Sequence, residues 1–394
     1  MWGGDQPDLP ETHDSEMKKE MTSLMDMCHL PTGKWEQRPT NGNPPLGVWG
    51  YSSVAIGKEI YYFGGYCGHS GCYHNSLHSF NVDTFTWREL SPSTSDHGPM
   101  MKANCGMVAL HSDGEDYLVV IAGKGSSSND ALKNQPSAKY ARSRCNEIHY
   151  YKISADQWIS PVVTGDRPPP ISSFTLTPVT NNTAVMFGGY TPNGASNKLY
   201  MLSFTKTSVG ISEVPNPEGS VEWPEERWAH SSVLIDTSSG PHLLVVGGWG
   251  TKNSWLLDIN KKIWQEQINL PVNVTWRYDH SLLVWSVTPA TNWIIEFGGE
   301  TSYKDTTVIE LRYTSDNDWS TSVIPLDQYQ DQLRRRILSD WENLGMEKQL
   351  QIVQDHLQQR EREFYQEQLQ REIKEKEQIQ QDQNKKQLQL LQEK

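Results

Sequence analysis

The chain contains 394 residues with a net charge of −13, and 36% of its residues are hydrophobic, including 15 Trp and 16 Tyr. This length allows two or three ordinary domains or one large repeat domain. The acidic charge argues against nucleic acid as a partner, because phosphate binding requires a basic face. No apolar run is long enough to cross a bilayer, and residues 1–5 lack the basic and apolar regions of a signal peptide. We therefore expect a cytoplasmic protein with no membrane or nucleic-acid partner.

The first 49 residues contain only part of a repeating pattern. Residues 5–21 are polar and charged and predict a long acidic loop. A strand is predicted at Leu24–Cys28, and Met1–Gly4 resembles the end of a strand that closes on a glycine pair. We therefore expect 1–49 to be a partial first repeat whose opening strand would precede Met1. The alternative is a naturally shortened repeat domain that uses the acidic loop as a plug.

The segment that begins at Trp49 consists of four short predicted strands in succession. Each is rich in β-branched or aromatic residues and is bounded by Gly, Asn or Asp, which supply turn conformations. The predicted strands are Tyr51–Ile56, Ile60–Phe63, Ser76–Phe80 and Thr86–Leu90. Four consecutive strands joined in this way form one antiparallel sheet.

The same pattern recurs along the chain. An apolar strand ends on a glycine pair at Gly64-Gly65, Gly188-Gly189, Gly247-Gly248 and Gly298-Gly299, with Ala122-Gly123 in the same role. A Trp follows a strand residue in the pairs Phe80/Trp87, Tyr151/Trp158, Leu257/Trp264 and Arg312/Trp319, whereas the third repeat has Ile211 at the Trp position. A spacing of roughly 50 to 70 residues is typical of β-propeller blades with loop insertions. Residues 50–326 therefore predict five complete repeats.

These motifs resemble the kelch-repeat family. The strand closing on Gly-Gly and the downstream Trp are its signature, and Arg227–Ser231 and Arg277–Ser281 resemble its opening motif. The resemblance implies an all-β propeller of kelch type over residues 1–326, with six blades of which the first is incomplete. It also implies a protein-binding adaptor, since relatives include substrate receptors of ubiquitin ligases. Those receptors carry a helical box with a Leu and a Cys after the propeller, and Leu326–Leu333 at this place has no Cys.

Candidate partner-binding residues lie in the loops that enter each first strand and follow each second strand. In a propeller these loops emerge on one face. Arg, Trp and Tyr are enriched in binding hot spots, and Arg can hold a carboxylate through two hydrogen bonds. The candidates are Arg227, Arg277, Trp49, Trp228, Tyr278, Tyr66, Lys102, Lys124, Tyr190 and Trp249. Arg227 and Arg277 are expected to contact a protein or peptide that is acidic or has a free carboxylate; the alternative is that these side chains pack between blades.

The segment Cys67–His74 contains two Cys and two His, which are ligands that zinc prefers. We expect these residues to be incidental, because so tight a loop can hardly wrap four side chains around one ion, and we predict no metal and no cofactor. Gly123–Gly125 is not a phosphate-binding loop, since its Lys is followed directly by Gly and no Gly-Lys-Ser/Thr ending precedes a helix. The sequence therefore predicts a protein that is not an enzyme. The alternative is a propeller enzyme with a metal held by distant Tyr and His residues.

The composition changes sharply after Leu326. Residues 327–394 contain no Pro, one Gly and a large excess of Gln, Glu, Lys and Arg, which predicts a long helix. A short heptad-like stripe runs through Leu350, Val353, Leu357 and Phe364. Because this stripe is too short for a stable coiled coil, we expect weak self-association, with a solvated helix or Gln-rich disorder as alternatives. A second functional hypothesis is a cytoskeletal scaffold that acts through this helix.

Overall fold

The computed structural model describes most of the chain up to Asn343 and a few residues beyond. The described residues are 1–4, 10, 12, 15–69, 71–91, 98–125, 138–216, 222–237, 239–267, 270–288, 290–300, 305–313, 319–343, 345–346, 348–351, 354 and 358. The chain divides into two compact units, Met1–Leu333 and Arg334–Lys394. The boundary lies seven residues beyond the composition change at Leu326.

The chain begins with a helix and a two-stranded sheet. Helix α1 spans Glu16–Thr22, and strands β1 (Leu24–His29) and β2 (Lys34–Pro39) pair antiparallel. Helix α1 occupies part of the segment expected to be a loop. It forms there because the hydroxyl of Ser15 caps it by accepting a hydrogen bond from the Lys18 N–H at 3.2 Å.

Five larger sheets follow in chain order and form the blades of a β-propeller, which confirms the all-β fold class. Blade 1 contains β3 (Ser52–Ile56), β4 (Glu59–Phe63), β5 (Leu77–Asn81) and β6 (Thr86–Ser91). Blade 2 contains β7 (Lys102–Ala103), β8 (Gly106–Ser112), β9 (Glu115–Gly125), β10 (Tyr140–Ala141), β11 (Arg144–Lys152) and β12 (Gln157–Ile159), with the 3₁₀ turn η1 (Ile153–Ala155) before β12.

The remaining blades differ from one another mainly in their connections. Blade 3 contains β13 (Val162–Gly165), β14 (Thr175–Thr180), β15 (Thr183–Phe187), β18 (Leu199–Phe204) and β19 (Ser208–Val214), with the small hairpin β16 (Tyr190–Thr191) and β17 (Gly194–Ala195) beside them. Blade 4 contains β20 (Ser231–Thr237), β21 (Gly240–Val246), β22 (Ser254–Asp258) and β23 (Ile263–Gln267). After helix α2 (Val272–Thr275), blade 5 contains β24 (His280–Thr288), β25 (Thr291–Gly298), β26 (Thr306–Tyr313) and β27 (Trp319–Ile324).

A chain of backbone hydrogen bonds links the loops that enter the blades. Each bond joins the N–H of one loop to the carbonyl of the preceding loop, in the pairs Asn104 to Gly50 (2.6 Å), Ser173 to Asn104 (3.0 Å), Ala229 to Ser173 (2.9 Å) and Asp279 to Ala229 (2.8 Å). All five residues have a left-handed φ between 51° and 65°. Among the described residues, no such bond joins Asp279 back to Gly50.

Aromatic side chains pack neighbouring blades together. The Trp on the last strand contacts the aromatic residue that precedes the glycine pair of the previous blade, as in Trp158 with Phe63 (5.5 Å between ring centroids) and Trp264 with Phe187 (4.9 Å). The two-stranded sheet repeats this contact, because Trp35 on β2 lies 4.8 Å from Phe297 of blade 5.

The other side of the two-stranded sheet packs on blade 1. The ring of Trp2 lies 5.0 Å from Trp87, and the Met1 carbonyl accepts a hydrogen bond from Asp26 of β1 at 2.8 Å. Residues 1–4 and the two-stranded sheet therefore lie between blade 5 and blade 1.

The first turns of the C-terminal helix complete the propeller unit. A 3₁₀ turn, η2 (Leu326–Gln328), leads into α3 (Tyr329–Asn343), so the described helix has 18 residues. Tyr329 packs on Trp293 of blade 5 at 4.8 Å and donates a hydrogen bond to the Leu30 carbonyl at 2.6 Å. The helix start therefore joins the last blade to the turn of the two-stranded sheet.

The long helix expected up to Lys394 stays a prediction. Residues 346, 348–351, 354 and 358 are also helical. Of the apolar stripe, Leu350 is described, while Val353, Leu357 and Phe364 lie outside the described residues. Within the described part of the chain, no helix is both long enough and apolar enough to cross a membrane.

Candidate functional site

Each blade places its entry loop beside the residue that follows its glycine pair, as the sequence indicated. Backbone hydrogen bonds hold these pairs together: the N–H of the residue after the glycines donates to the entry loop in Tyr66 to Trp49 (2.8 Å), Tyr190 to Ser172 (2.8 Å), Trp249 to Trp228 (2.9 Å) and Glu300 to Tyr278 (3.2 Å). In blade 2, Ala103 and Lys124 are paired in the sheet. The loops thus form one continuous face.

Aromatic side chains cover this face in two groups. On blade 1, Trp49 contacts Tyr66 at 4.6 Å and Tyr66 contacts Tyr73 at 5.2 Å. Across blades 3 to 5, three contacts join Tyr190 to Trp228 (5.4 Å), Trp228 to Trp249 (5.4 Å, stacked) and Trp249 to Tyr278 (4.7 Å). Trp249 is 49% exposed and Trp49 is 36% exposed. We call these seven residues the aromatic row.

Arg144 connects the two groups of the aromatic row. Its guanidinium lies 4.7 Å from the centre of the Tyr190 ring and interacts electrostatically with Tyr73. Its Nε donates to the Ser172 hydroxyl at 3.1 Å, and its Nη1 donates to the Arg142 carbonyl at 3.2 Å. Partial burial among these groups lowers the pKa of Arg144. Arg144 is therefore a half-buried cation at the middle of the row.

Two residues of this surface were missed in the sequence. Tyr73 follows the loop after Gly65, and Arg144 ends the insertion in the second repeat. Neither stands at a repeated offset, so the internal repeats gave no signal for them. Their position became evident only when the loops of neighbouring blades were brought side by side.

Arg227 lies beneath the aromatic row and is completely buried. Its Nη1 donates to the Gly247 carbonyl at 3.0 Å and its Nη2 to the Asn253 side chain at 2.6 Å, both within blade 4. Burial lowers its pKa to about 10. The expected contact with a partner does not fit this position, because the guanidinium is occupied by groups of its own blade.

Arg277 has the same position in blade 5 and is 2% exposed. Its Nη1 donates to the Gly298 carbonyl at 3.1 Å, and its Nη2 donates to the Thr307 hydroxyl at 3.0 Å. Its Nε also lies 3.5 Å from a carboxylate oxygen of Glu296. Burial nevertheless raises the pKa of Glu296 to about 8. Arg277 therefore also braces its own blade instead of facing a partner.

Lys102 is the matching residue of blade 2. Its side chain is fully buried, and its Nζ lies 2.7 Å from Glu147, which is also fully buried. Burial opposes both charges, but their mutual attraction raises the pKa of Lys102 and lowers that of Glu147. Of the two candidate lysines, only Lys124 is partly exposed. Lys102, Arg227 and Arg277 are called the buried braces below.

The Cys67–His74 loop lies beside the aromatic row, since it connects Tyr66 to Tyr73. Contrary to the expectation from its length, it brings side chains together: one ligand atom each of Cys67, His69 and Cys72 lies within 4.8 Å of the other two. Cys67 is buried, and Cys72 and His69 are half-buried.

Two family models match the chain. The KLHDC2/KLHL20/DRC7 Kelch-repeats domain matches residues 136–336, about half of the chain, and the Kelch motif matches residues 50–94. Among solved structures, that of YjhT is similar with a TM-score of 0.50 and 17% identity, covering 73% of this chain and 87% of that one. This likeness supports the fold alone.

Curated relatives are similar over part of their length. Acyl-CoA-binding domain-containing protein 4 of Arabidopsis thaliana is 25% identical, covering 54% of this chain and 28% of the relative. Host cell factor of Drosophila melanogaster is 26% identical over 57% of this chain and 15% of the relative. Human Kelch domain-containing protein 1 is 22% identical over 61% of this chain and 60% of the relative. The chain thus spans 15–60% of the lengths of these relatives. Together with the five blades, the match of the Kelch-repeats domain shows that the chain belongs to the kelch-repeat β-propeller family.

Proposed function

We propose that the protein is a non-catalytic binding module whose aromatic row holds a peptide or protein partner. The observation that carries this proposal is the continuous contact of Tyr190, Trp228, Trp249 and Tyr278 across three blades. Large rigid aromatic side chains bind at low cost in conformational entropy and dominate the energy of protein interfaces. Such a row on an exposed face provides apolar contacts without a pocket.

The chemistry of the partner follows from the cations that remain accessible. Because the arginine braces are buried, an acidic or carboxylate-bearing partner would instead meet Arg144 and Lys124, which are only partly buried. Arg144 stands between the two aromatic groups, so a carboxylate there would be flanked by rings on both sides. We therefore propose a partner segment that combines aromatic or apolar residues with one acidic group.

We also propose that β1 and β2 are the outer strands of a sixth blade. Three observations support this: Trp35 packs on Phe297 as the Trp of a following blade would, Trp2 packs on Trp87, and the chain of loop hydrogen bonds stays open between Asp279 and Gly50. In this arrangement the face that carries the aromatic row would be an open arc.

We extend this proposal to an adaptor role and to the function of the C-terminal tail. An adaptor for a ubiquitin ligase would need a docking helix after the propeller. Here Tyr329 and Leu333 are 2% and 7% exposed because they pack on blade 5. We therefore propose a cytoplasmic adaptor that does not use this segment for docking, with weak self-association through the tail.

Selection of peptides on the purified full chain tests the binding role. Peptides recovered from a random library should lose at least about tenfold in affinity for Trp249→Ala, since a hot-spot residue contributes about 2 kcal/mol or more. The matched control is Ile263→Ala, which removes an apolar side chain that is 61% exposed on the last strand of blade 4. Equal affinity for both variants would exclude the aromatic row as the binding surface.

A further inference from the structure

The loop Cys67–His74 gathers two thiols and two imidazoles at one end of blade 1. The Sγ of Cys67 lies 3.0 Å from the Nδ1 of His69, and the Sγ of Cys72 lies 3.4 Å from the Nε2 of His74. Cys67 is fully buried and His74 is 5% exposed. The sequence contains these four residues within one short segment, but only the folded loop turns their side chains toward one another.

The backbone of the loop explains why the side chains converge. The N–H of Cys67 donates to the carbonyl of Cys72 at 3.2 Å, and the N–H of Cys72 donates to the carbonyl of His69 at 3.2 Å. Gly68 and Gly71 have φ values of +96° and +72°. These left-handed conformations are accessible to glycine at little cost, so the chain reverses within a few residues and places the cysteines opposite each other.

We propose that this loop binds a zinc ion through Cys67, His69 and Cys72, with His74 as the fourth ligand. Zinc prefers a tetrahedral set of thiolate and imidazole ligands, and its bond lengths place neighbouring ligand atoms about 3.5–3.8 Å apart. Two ligand pairs lie close to these separations, Cys67 with His69 at 3.0 Å and Cys72 with His74 at 3.4 Å. The ligand atoms of Cys67, His69 and Cys72 all lie within 4.8 Å of one another, and His74 joins this group through Cys72. Binding converts both thiols to thiolates and releases their two protons to solvent. The two negative sulfurs then balance the charge of the ion.

A buried cation lies next to the loop and holds its backbone. Lys18 of helix α1 is 2% exposed, and its Nζ donates hydrogen bonds to the carbonyls of Cys67 and Thr12. Helix α1 is thereby attached to the loop at Cys67, one of the proposed ligands. This inference is independent of the proposed binding role of the aromatic row.

The test is a cobalt titration of the reduced, metal-free full chain. Cobalt replaces zinc in tetrahedral sites and reports thiolate ligands by a charge-transfer band. We expect roughly one cobalt per chain, with the band bleached by added zinc. Cys67→Ser and Cys72→Ser should weaken binding by more than about 100-fold, because even outer-shell changes cost 10–100-fold. Cys28→Ser, a half-buried thiol on β1, is the matched control and should bind like wild type.

His69→Ala keeps the test decisive if a cysteine variant fails to fold. It removes a half-buried ligand and should retain the thiolate band while lowering affinity and changing the tetrahedral spectrum. A folded wild-type chain that shows no thiolate-to-cobalt band would overturn the proposal. So would a band that survives unchanged in the Cys67→Ser/Cys72→Ser double variant, or one that disappears in Cys28→Ser.

Discussion

The buried braces and the aromatic row are adjacent in the sequence but differ completely in environment. Arg227 and Trp228 are neighbours, yet the guanidinium is fully buried within blade 4 while the indole stacks on the exposed Trp249. Arg277 and Tyr278 repeat this arrangement in blade 5. Within one entry loop, the charged residue stabilises the blade and the aromatic residue is available to a partner. A repeated motif can therefore contain both a structural and a binding residue.

The Lys102–Glu147 pair gives the largest expected effect on the braces. Lys102→Met removes the cation that lies 2.7 Å from the buried Glu147 carboxylate, which keeps the neutral Met100 N–H donor and lies near His149. We expect the free energy of unfolding to fall by about 3–5 kcal/mol. The double variant Lys102→Met/Glu147→Leu should recover most of this loss, since it removes both charges. Chemical denaturation of the three proteins measures the effect. A single variant as stable as wild type would show that this pair does not brace blade 2.

Loss of the brace in blade 4 should cost less. Arg227→Met removes the buried donor to the Asn253 side chain and one of the donors to the Gly247 carbonyl, which also accepts from the Thr251 hydroxyl. This predicts a loss of about 2–4 kcal/mol. Trp249→Ala, which truncates an exposed ring of the same blade, should change stability by about 1 kcal/mol or less. If the order of the two losses were reversed, the division between brace and aromatic row would fail.

The pH dependence of stability tests the environment of Arg277, the brace in blade 5, through its neighbour Glu296. Glu296 has a pKa raised by burial from 4.5 to about 8, so the folded state holds a proton that the unfolded state has released. The contribution of Glu296 to the free energy of unfolding is therefore fully present below pH 4.5 and is lost as the pH rises toward 8. The neighbouring His280, whose pKa burial lowers from 6.5 to about 3, changes stability only below pH 6.5.

Between pH 6.5 and 8 the wild type should therefore lose about 2 kcal/mol relative to Glu296→Gln. Denaturation at the two pH values measures this difference. The matched control is Glu300→Gln, an exposed residue just beyond the end of β25, the strand that carries Glu296, and this variant should follow the wild type. Parallel pH profiles for the wild type and Glu296→Gln would contradict the assignment of this carboxyl group.

The sequence predicted the strands of the blades well, because the glycine pairs and Trp positions that mark them are short motifs within each repeat. The strands predicted in blade 1 agree with the structure to within about one residue, and Ile211 fills the Trp position of blade 3, where it is 4% exposed. Helix α1 was not predicted, since it depends on a single capping Ser15 within a charged segment. The burial of Arg227 and Arg277 depends on the carbonyls of Gly247 and Gly298, which belong to the same blades but lie 20 and 21 residues further along the chain, and no local pattern in the sequence encodes these contacts.

The positions of the aromatic loop residues were predicted better than the environment of the cations, and the binding role of these residues stays a prediction. Loop equivalence between repeats placed Trp49, Tyr66, Tyr190, Trp228, Trp249 and Tyr278 on one face, and the structure brings them into two contacting groups. Charge alone did not show which cation would be accessible. Arg144 became a candidate only through its contact with the Tyr190 ring of blade 3 and its electrostatic interaction with Tyr73 of blade 1.

The most direct test of the account is to compare Arg227→Lys with Trp228→Ala in binding and in stability. The measurement uses one peptide selected on the wild-type chain. Arg227→Lys keeps a buried cation with fewer donors, so it should lower the unfolding free energy by about 1–3 kcal/mol and leave the affinity of the folded protein unchanged. Trp228→Ala should weaken peptide binding at least about tenfold with a smaller change in stability. Loss of binding in Arg227→Lys together with unchanged binding in Trp228→Ala would contradict the account.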